Sequence, residues 1–349
     1  MSNNLYLELS ERSKQILKGV VESYLETGEP AGSETILKKV GIDISSASIR
    51  SILADLQKEG LLYAPHISAG RLPTDKGMRF FVDGLLEFGR LTKNEQENIK
   101  NQCRSRGSSF QEVLDEASKT ISGLSKCAGI VVAPKYQNKI KHIEFIRLST
   151  NQVMSIIASE NGLVENRILN TKNNYNDNIL KQVSNYLNSK FTGKTIDEIK
   201  ANIQEKIRNS KSELDALSSK LVQEGIVEIA PNNESPYIFL HGQSSLLGDE
   251  IVSKDLDQIR NLFDDIENKS NFLDILDNTS KSQGVQIFIG SQNFLFKHSG
   301  LSMVMAPYKN KEQKIIGAIG VVGPTRLNYA KIVPLVDYTS KVIGRMLSQ

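Results

Sequence analysis

Five residues carry the clearest chemistry in this sequence: Ala47, Arg50, Ser51, Ala54 and Lys58. At about 100° per residue they gather on one arc of a helix predicted over Ser46–Glu59, while Ile49, Ile52, Leu53 and Leu56 share the opposite arc. Small side chains let a helix enter a nucleic-acid major groove deeply. There an Ala meets a thymine methyl, a Ser bonds either base type, and an Arg forks onto guanine. Ser45 or Ser46 suits the N-cap, and Ser46, Ala47 and Ser48 surround backbone N–H groups that favour a phosphate. An ordinary amphipathic helix with a small outer face fits the same residues, so this helix alone does not decide.

The elements around it narrow the choice. Gly60 stops the helix and Leu61-Leu62-Tyr63 reads as a strand. Ser68-Ala69-Gly70 reads as a tight turn in which Gly supplies positive φ, placing Arg71 at the tip of a hairpin. Arg71, His66 and Ser68 then reach a phosphate or a narrow minor groove beside the helix. Upstream, residues 9–26 form a helix with an apolar stripe through Ile16, Leu17 and Val20. Ser33–Val40 form a short helix capped by Ser33 and stopped by Gly41, and downstream Thr74 caps a helix running to about Phe88. Helix, turn, helix and hairpin in that order are the grammar of a winged helix-turn-helix.

The rest of the chain exceeds one ordinary core at 349 residues. Cys127–Ala133, Tyr237–Leu240, Val285–Ile289, Leu301–Ala306 and Ile315–Val322 read as strands, with helices at Asp255–Asp277 and Ala330–Leu347. They make an α/β layout resembling the GAF fold. Between the first two strands, residues 140–170 alternate as a three-stranded meander, followed by helical patterns at Asn178–Phe191, Thr195–Ile207 and Glu213–Glu224. The predicted class is therefore α+β multidomain. A winged helix-turn-helix occupies 1–90, a GAF-like domain occupies 91–139 and 226–349, and an inserted domain of sheet plus helices occupies 140–225.

Charge alone does not announce a polyanion partner. Lys and Arg number 43 against 40 Asp and Glu, a net charge of +3. Between Lys38 and Arg79, however, seven cations face four acids, an excess of three. That suits modest non-specific affinity, with discrimination from shape and two half-sites. Cys103 and Cys127 fit no metal spacing and suggest reduced thiols in a cytoplasmic protein. The polar N-terminus lacks the apolar run of a signal peptide, and no segment has the length of a membrane span. His66, His142, His241 and His298 show no ligand spacing, so no metal is expected. Gly317, Gly320 and Gly323 lie inside a strand that Pro324 ends, which fits sheet packing better than a dinucleotide loop. No nucleophile–base pair stands out, and neither an enzyme nor a bound cofactor is expected.

The run PHISAGRLPTDKGMRFFVD (Pro65–Asp83), with SSASIRSILADLQKEGLL before it, resembles the heat-inducible transcription repressor HrcA family. Family wording near the hairpin is close to PHTSAGRIPTDKGYRFYVD, so this chain differs at Ile67, Leu72, Met78 and Phe81. The family commonly has Asn-Asp after the Ile-Arg pair. Arg50 is kept here, but Ser51 and Ile52 follow it. The resemblance thus carries docking geometry further than base readout. It implies a homodimer paired through the inserted domain and an inverted-repeat operator of the CIRCE type ahead of groE- and dnaK-type chaperone operons. It also implies that the GroEL chaperonin sustains repressor activity. A metabolite-responsive regulator, with an effector in the GAF-like domain, is the alternative.

Overall fold

A computed structural model describes residues 9–41, 44–66, 69–103, 110–133, 139–160, 164–171, 174–195, 198–199, 237–247, 256–268, 279, 284–290, 300–310, 313 and 315–347. Helix α1 (Glu11–Thr27) is capped by Ser10, whose hydroxyl accepts from Ser13 N–H at 3.1 Å. It buries Ile16, Leu17, Val20 and Val21 against α2 (Ser33–Val40), α3 (Ser46–Lys58) and α4 (Asp75–Gly84). Two expectations need correction. Gly32 caps α2 with no side-chain bond, so Ser33 is its first helical residue. Helix α4 stops at Gly84, where Leu85 N–H closes onto Phe81 O, and does not reach Phe88. Strands β1 (Leu62–Tyr63) and β2 (Leu72–Pro73) pair antiparallel between α3 and α4.

Helices α5 (Lys93–Cys103) and α6 (Phe110–Ser125) lead into β3 (Ala128–Ala133), which is buried along its whole length. Its neighbour β7 (Tyr237–His241) follows only after a long excursion in sequence. With β8 (Gln286–Ile289), β9 (Leu301–Lys309) and β10 (Ile315–Pro324) they form an antiparallel sheet in the order β7-β3-β10-β9-β8. The last helix, α10 (Tyr329–Met346), packs with α6 on one face of this sheet. Short helix α8 (Ser244–Leu247) and α9 (Leu256–Asn268) cover the other face through Leu246, Ile259, Leu262 and Ile266. The glycine triplet in β10 is sheet packing, because a methyl at Gly320 would lie 2.1 Å from Val304 O.

The excursion between β3 and β7 has a core of its own. Strands β4 (Ile140–Ser149), β5 (Gln152–Ser159) and β6 (Val164–Asn170) form an antiparallel meander, and α7 (Asp177–Phe191) covers one face of it. Ile143, Phe145, Val153, Ile157 and Leu169 meet Leu180, Val183, Leu187 and Phe191 there. Helix α7 also closes the free edge of β4. Ser184 Oγ accepts from Phe145 N–H at 3.0 Å, and the Asn188 amide both accepts from Ile143 N–H and donates to Ile143 O. The helical stretches expected beyond Ile199 and at Glu213–Glu224 lie outside the described residues, as does the helix expected between Asn268 and Asp277.

A separate core is shared more widely. Buried side chains run without interruption from Ile16 and Phe81 through Cys103 and Ile121 to Val304, Ile319 and Ile343. No helix among the described residues is long and apolar enough to cross a membrane.

Candidate nucleic-acid interface

Helix α3 is anchored at both ends. At its start the Ser45 hydroxyl accepts from Ser48 N–H at 3.1 Å. At its end Leu61 N–H reaches back to Leu56 O and Gly60 N–H to Gln57 O, each at 3.0 Å. Gly60 takes φ 71°, so this is a Schellman stop that leaves Leu56 and Leu61 buried together. The buried stripe is Ile49, Leu53 and Leu56, with Ile52 half-buried at its margin. Ala47, Ser48, Arg50, Ser51 and Lys58 are exposed, and Ser46 and Ala54 are half-buried. Lys58 lies 3.2 Å from Asp55 Oδ1 on the same helix. Arg50 has no hydrogen bond or ion pair among the described residues, so its guanidinium is available to a ligand.

Helix α4 clamps the C-terminal end of α3. Thr74 Oγ1 donates to Gly60 O at 2.7 Å, Thr74 N–H donates to Leu61 O at 3.0 Å, and Lys76 Nζ donates to Glu59 O at 2.7 Å. Thr74 Oγ1 also caps α4 by accepting from Gly77 N–H at 3.1 Å. The approach is so close that a methyl at Gly77 would lie 2.0 Å from Leu61 O. Sequence reading counted Lys76 only as a local cation. Thr74 was recognisable as a cap, but nothing in the spacing places Lys76 on the end of α3.

The hairpin differs from expectation in two ways. Gly70 has no positive φ; it is small because Ala31 crosses it, and a methyl there would lie 2.5 Å from Ala31 O. Arg71 is not at the tip. It pairs with Ala31 through Ala31 N–H to Arg71 O at 3.0 Å and Arg71 N–H to Ala31 O at 2.9 Å, an isolated antiparallel bridge beside the two-stranded β1–β2 sheet. Its side chain is half-buried, with Nη1 donating to Ala69 O at 3.2 Å and Nε buried without a partner among the described residues. The tip lies further out, where His66 is exposed and its carbonyl accepts from Ala69 N–H at 3.0 Å. Ser68 lies outside the described residues. Tyr63, on β1, exposes 45% of its surface and is an aromatic contact that sequence reading did not single out. Partial burial raises the pKa of its phenol, which stays a neutral hydrogen-bonding group at physiological pH.

The helix therefore presents small and cationic groups on a rigid apolar mount, with the hairpin fixed beside it. No group of His, Cys, Asp and Glu with metal-binding proximity occurs among the described residues.

The model of the HrcA protein C-terminal domain family matches residues 111–333. Two relatives named heat-inducible transcription repressor HrcA extend the match through the N-terminal helices. The one from Gluconobacter oxydans (strain 621H) is 43% identical over 339 residues, spanning 97% of this chain and 95% of its own. The one from Caulobacter vibrioides (strain NA1000 / CB15N) is 43% identical over 341 residues, with the same shares. A crystal structure of a hypothetical protein at 2.2 Å resolution superposes with a TM-score of 0.64 at 22% identity, covering 97% of this chain and 99% of that one, and so shares the fold. This chain belongs to the HrcA family of heat-inducible transcription repressors.

Proposed function

We propose that residues 1–90 form a winged helix-turn-helix that docks α3 in the major groove of operator DNA. The observation that carries this is the outward face of α3: Ala47, Ser48, Arg50 and Ser51 are exposed on a helix whose other face is locked into the core. Arg50 forks onto a base, and Ser46, Ser48 and the N-terminal N–H groups take a phosphate. Ala54 and Lys58 continue the contact along the groove. His66, Ser68 and Arg71 serve the flanking backbone. Arg71 does so from the root of the hairpin, with Nη1 engaged by Ala69.

The five-stranded sheet and its helices, 91–139 with 226–349, act as a GAF-like body, and 140–225 is the inserted pairing domain. The outer face of its meander supports that reading. Ile146 and Leu148 on β4 and Val164 and Ile168 on β6 are 39%, 47%, 59% and 58% exposed. Met154 lies between Ile146 and Ile168 in register, and Ile156 is half-buried on the same face. An apolar face of this kind marks a contact surface. Pairing occurs through the face and not the β4 edge, which Ser184 and Asn188 already occupy.

The homodimer then reads an inverted repeat of the CIRCE type ahead of chaperone operons, and the GroEL chaperonin sustains its activity, as family membership suggests. A gel shift with a CIRCE duplex against a scrambled repeat tests the operator, with GroEL present or absent. Equal binding to both duplexes overturns the operator assignment.

A further inference from the structure

The start of α4 faces two ways. Thr74 and Lys76 hold the carbonyls at the end of α3, and Gly77 lets Leu61 O approach. Asp75 and Arg79 share another arc of the same helix and meet the sheet body. Arg79 donates to the Ile287 carbonyl on edge strand β8. The Asp75 carboxylate fills the place that a Cβ on Gly290, the residue after β8, would take. Gly290 is buried and has φ 54°, so a side chain there is disfavoured by the backbone as well as by space. An acid at the first position of a helix suits the helix dipole, but that role does not call for a glycine at 290. Beyond α4, Gly89 N–H donates to Ala330 O at 2.9 Å, a second tie across the same boundary. Buried apolar side chains also cross it, yet burial is non-directional: it holds the two halves together without fixing their angle.

We propose that Asp75 and Gly290 are positioning residues that, with Arg79, fix the angle between α3 and the sheet body, and so select the half-site spacing that two paired chains accept. The spacing role rests on the paired, operator-binding reading given above, in which neither Asp75 nor Gly290 touches DNA. Two heads on rigid mounts present the second head at high effective concentration only where separation and rotation match. Heads on a loose mount sample more geometries and lose affinity at the matched one. One base pair added between half-sites turns one against the other by about 35°, which a fixed mount rejects.

Competition binding on the full chain tests this with an inverted-repeat duplex, the same repeat with one base pair added to its spacer, and a single half-site. Gly290→Ala, which displaces the carboxylate, should weaken the repeat about tenfold, leave the half-site almost unchanged and shrink the preference between spacers. Asp75→Ala, which adds no atoms, should do the same. Equal weakening on all three duplexes overturns the proposal, because the head itself is then damaged. A preference between spacers that stays at the wild-type ratio in both variants overturns it too. A second measurement reads the joint without DNA. Spin labels on Glu34→Cys of α2 and Lys341→Cys of α10 replace exposed side chains, while the native thiols are buried. In labelled chains diluted with unlabelled protein, the distance distribution should shift or broaden in Gly290→Ala and Asp75→Ala, and an unchanged distribution overturns the proposal whatever the duplexes show. A wild type that binds the repeat no better than the half-site overturns the two-headed reading and the spacing role with it. A distribution that still broadens then upholds the joint by itself.

Discussion

Arg79 of α4 donates from its guanidinium to the backbone carbonyl of Ile287, tying the helix that follows the hairpin to edge strand β8. Asp83, one turn on, holds the same guanidinium through Nε at 2.7 Å. Asp75 at the start of α4 lies over Gly290, leaving no room there for a side chain. Replacing Arg79 with Met should leave the Ile287 carbonyl without its donor and cost about 1 kcal/mol, the order of a half-exposed charged hydrogen bond. Thermal melts should show the loss, with faster hydrogen exchange in α4. Unchanged exchange in α4 would show that the tie carries nothing.

Arg50→Ala should cost about 1–3 kcal/mol of affinity on a specific duplex and little on a scrambled one, if the guanidinium forks onto a base. The readout is competition binding at fixed salt. Unchanged discrimination would move base reading to other side chains of α3.

Arg71→Ala should weaken binding to every duplex evenly and lower the salt slope by about one, as expected when a phosphate contact is lost. Its position at the hairpin root adds a second expectation. The melt should also drop, because the side chain bonds Ala69 O next to the Ala31 bridge. A melt shift with an unchanged salt slope would leave Arg71 a purely structural part of the hairpin.

Ile168→Asp should convert the proposed pairing face into a repulsive one. Ile168 lies opposite Met154, which in turn lies opposite Ile146, at the centre of the exposed apolar face. Sedimentation velocity should show a monomer whose helical content is unchanged. A dimer of wild-type affinity would place the pairing surface elsewhere.

Burial pushes the thiols of Cys103 and Cys127 up to about 11. Each folded-state pKa is thus higher than that of an unfolded thiol, so the associated stability is intact below the unfolded value and is lost as pH rises through the folded one. Between about pH 9 and pH 11 stability should fall by up to roughly 3 kcal/mol per thiol. Chemical denaturation across that window measures it. Cys103→Ala with Cys127→Ala should flatten the slope, and a slope that persists in the double variant would assign it to other groups.

Much of this architecture was readable before any coordinates. The Ile49, Leu53 and Leu56 stripe defined α3 to within a residue, because periodicity reports burial directly. The meander was readable for the same reason: its inward residues alternate. What could not be read were bonds between segments distant in sequence. Arg71 looked like a tip because Gly70 looked like a turn glycine, yet Gly70 is small to let Ala31 pass. Ser33 looked like a cap by residue type, but the chain enters α2 through Gly32. Lys76 on Glu59 O, and Asn188 on the β4 edge, depend on how whole helices are placed. Among the candidate contacts, the outward position of Ala47, Arg50, Ser51 and Lys58 was legible from periodicity, whereas the hairpin residues were not sorted into root and tip.

The uninterrupted core has a consequence for how this molecule responds to heat. Ile16 and Phe81 belong to the same buried cluster as Ile319 and Ile343, so opening the five-stranded sheet removes apolar neighbours from the N-terminal helices. The meander and α7, with their separate core, are free to open as a unit of their own. Warming should therefore produce at most two cooperative steps. The N-terminal helices should lose their fold in the step that opens the sheet, so the proposed DNA affinity should be lost in that step as well.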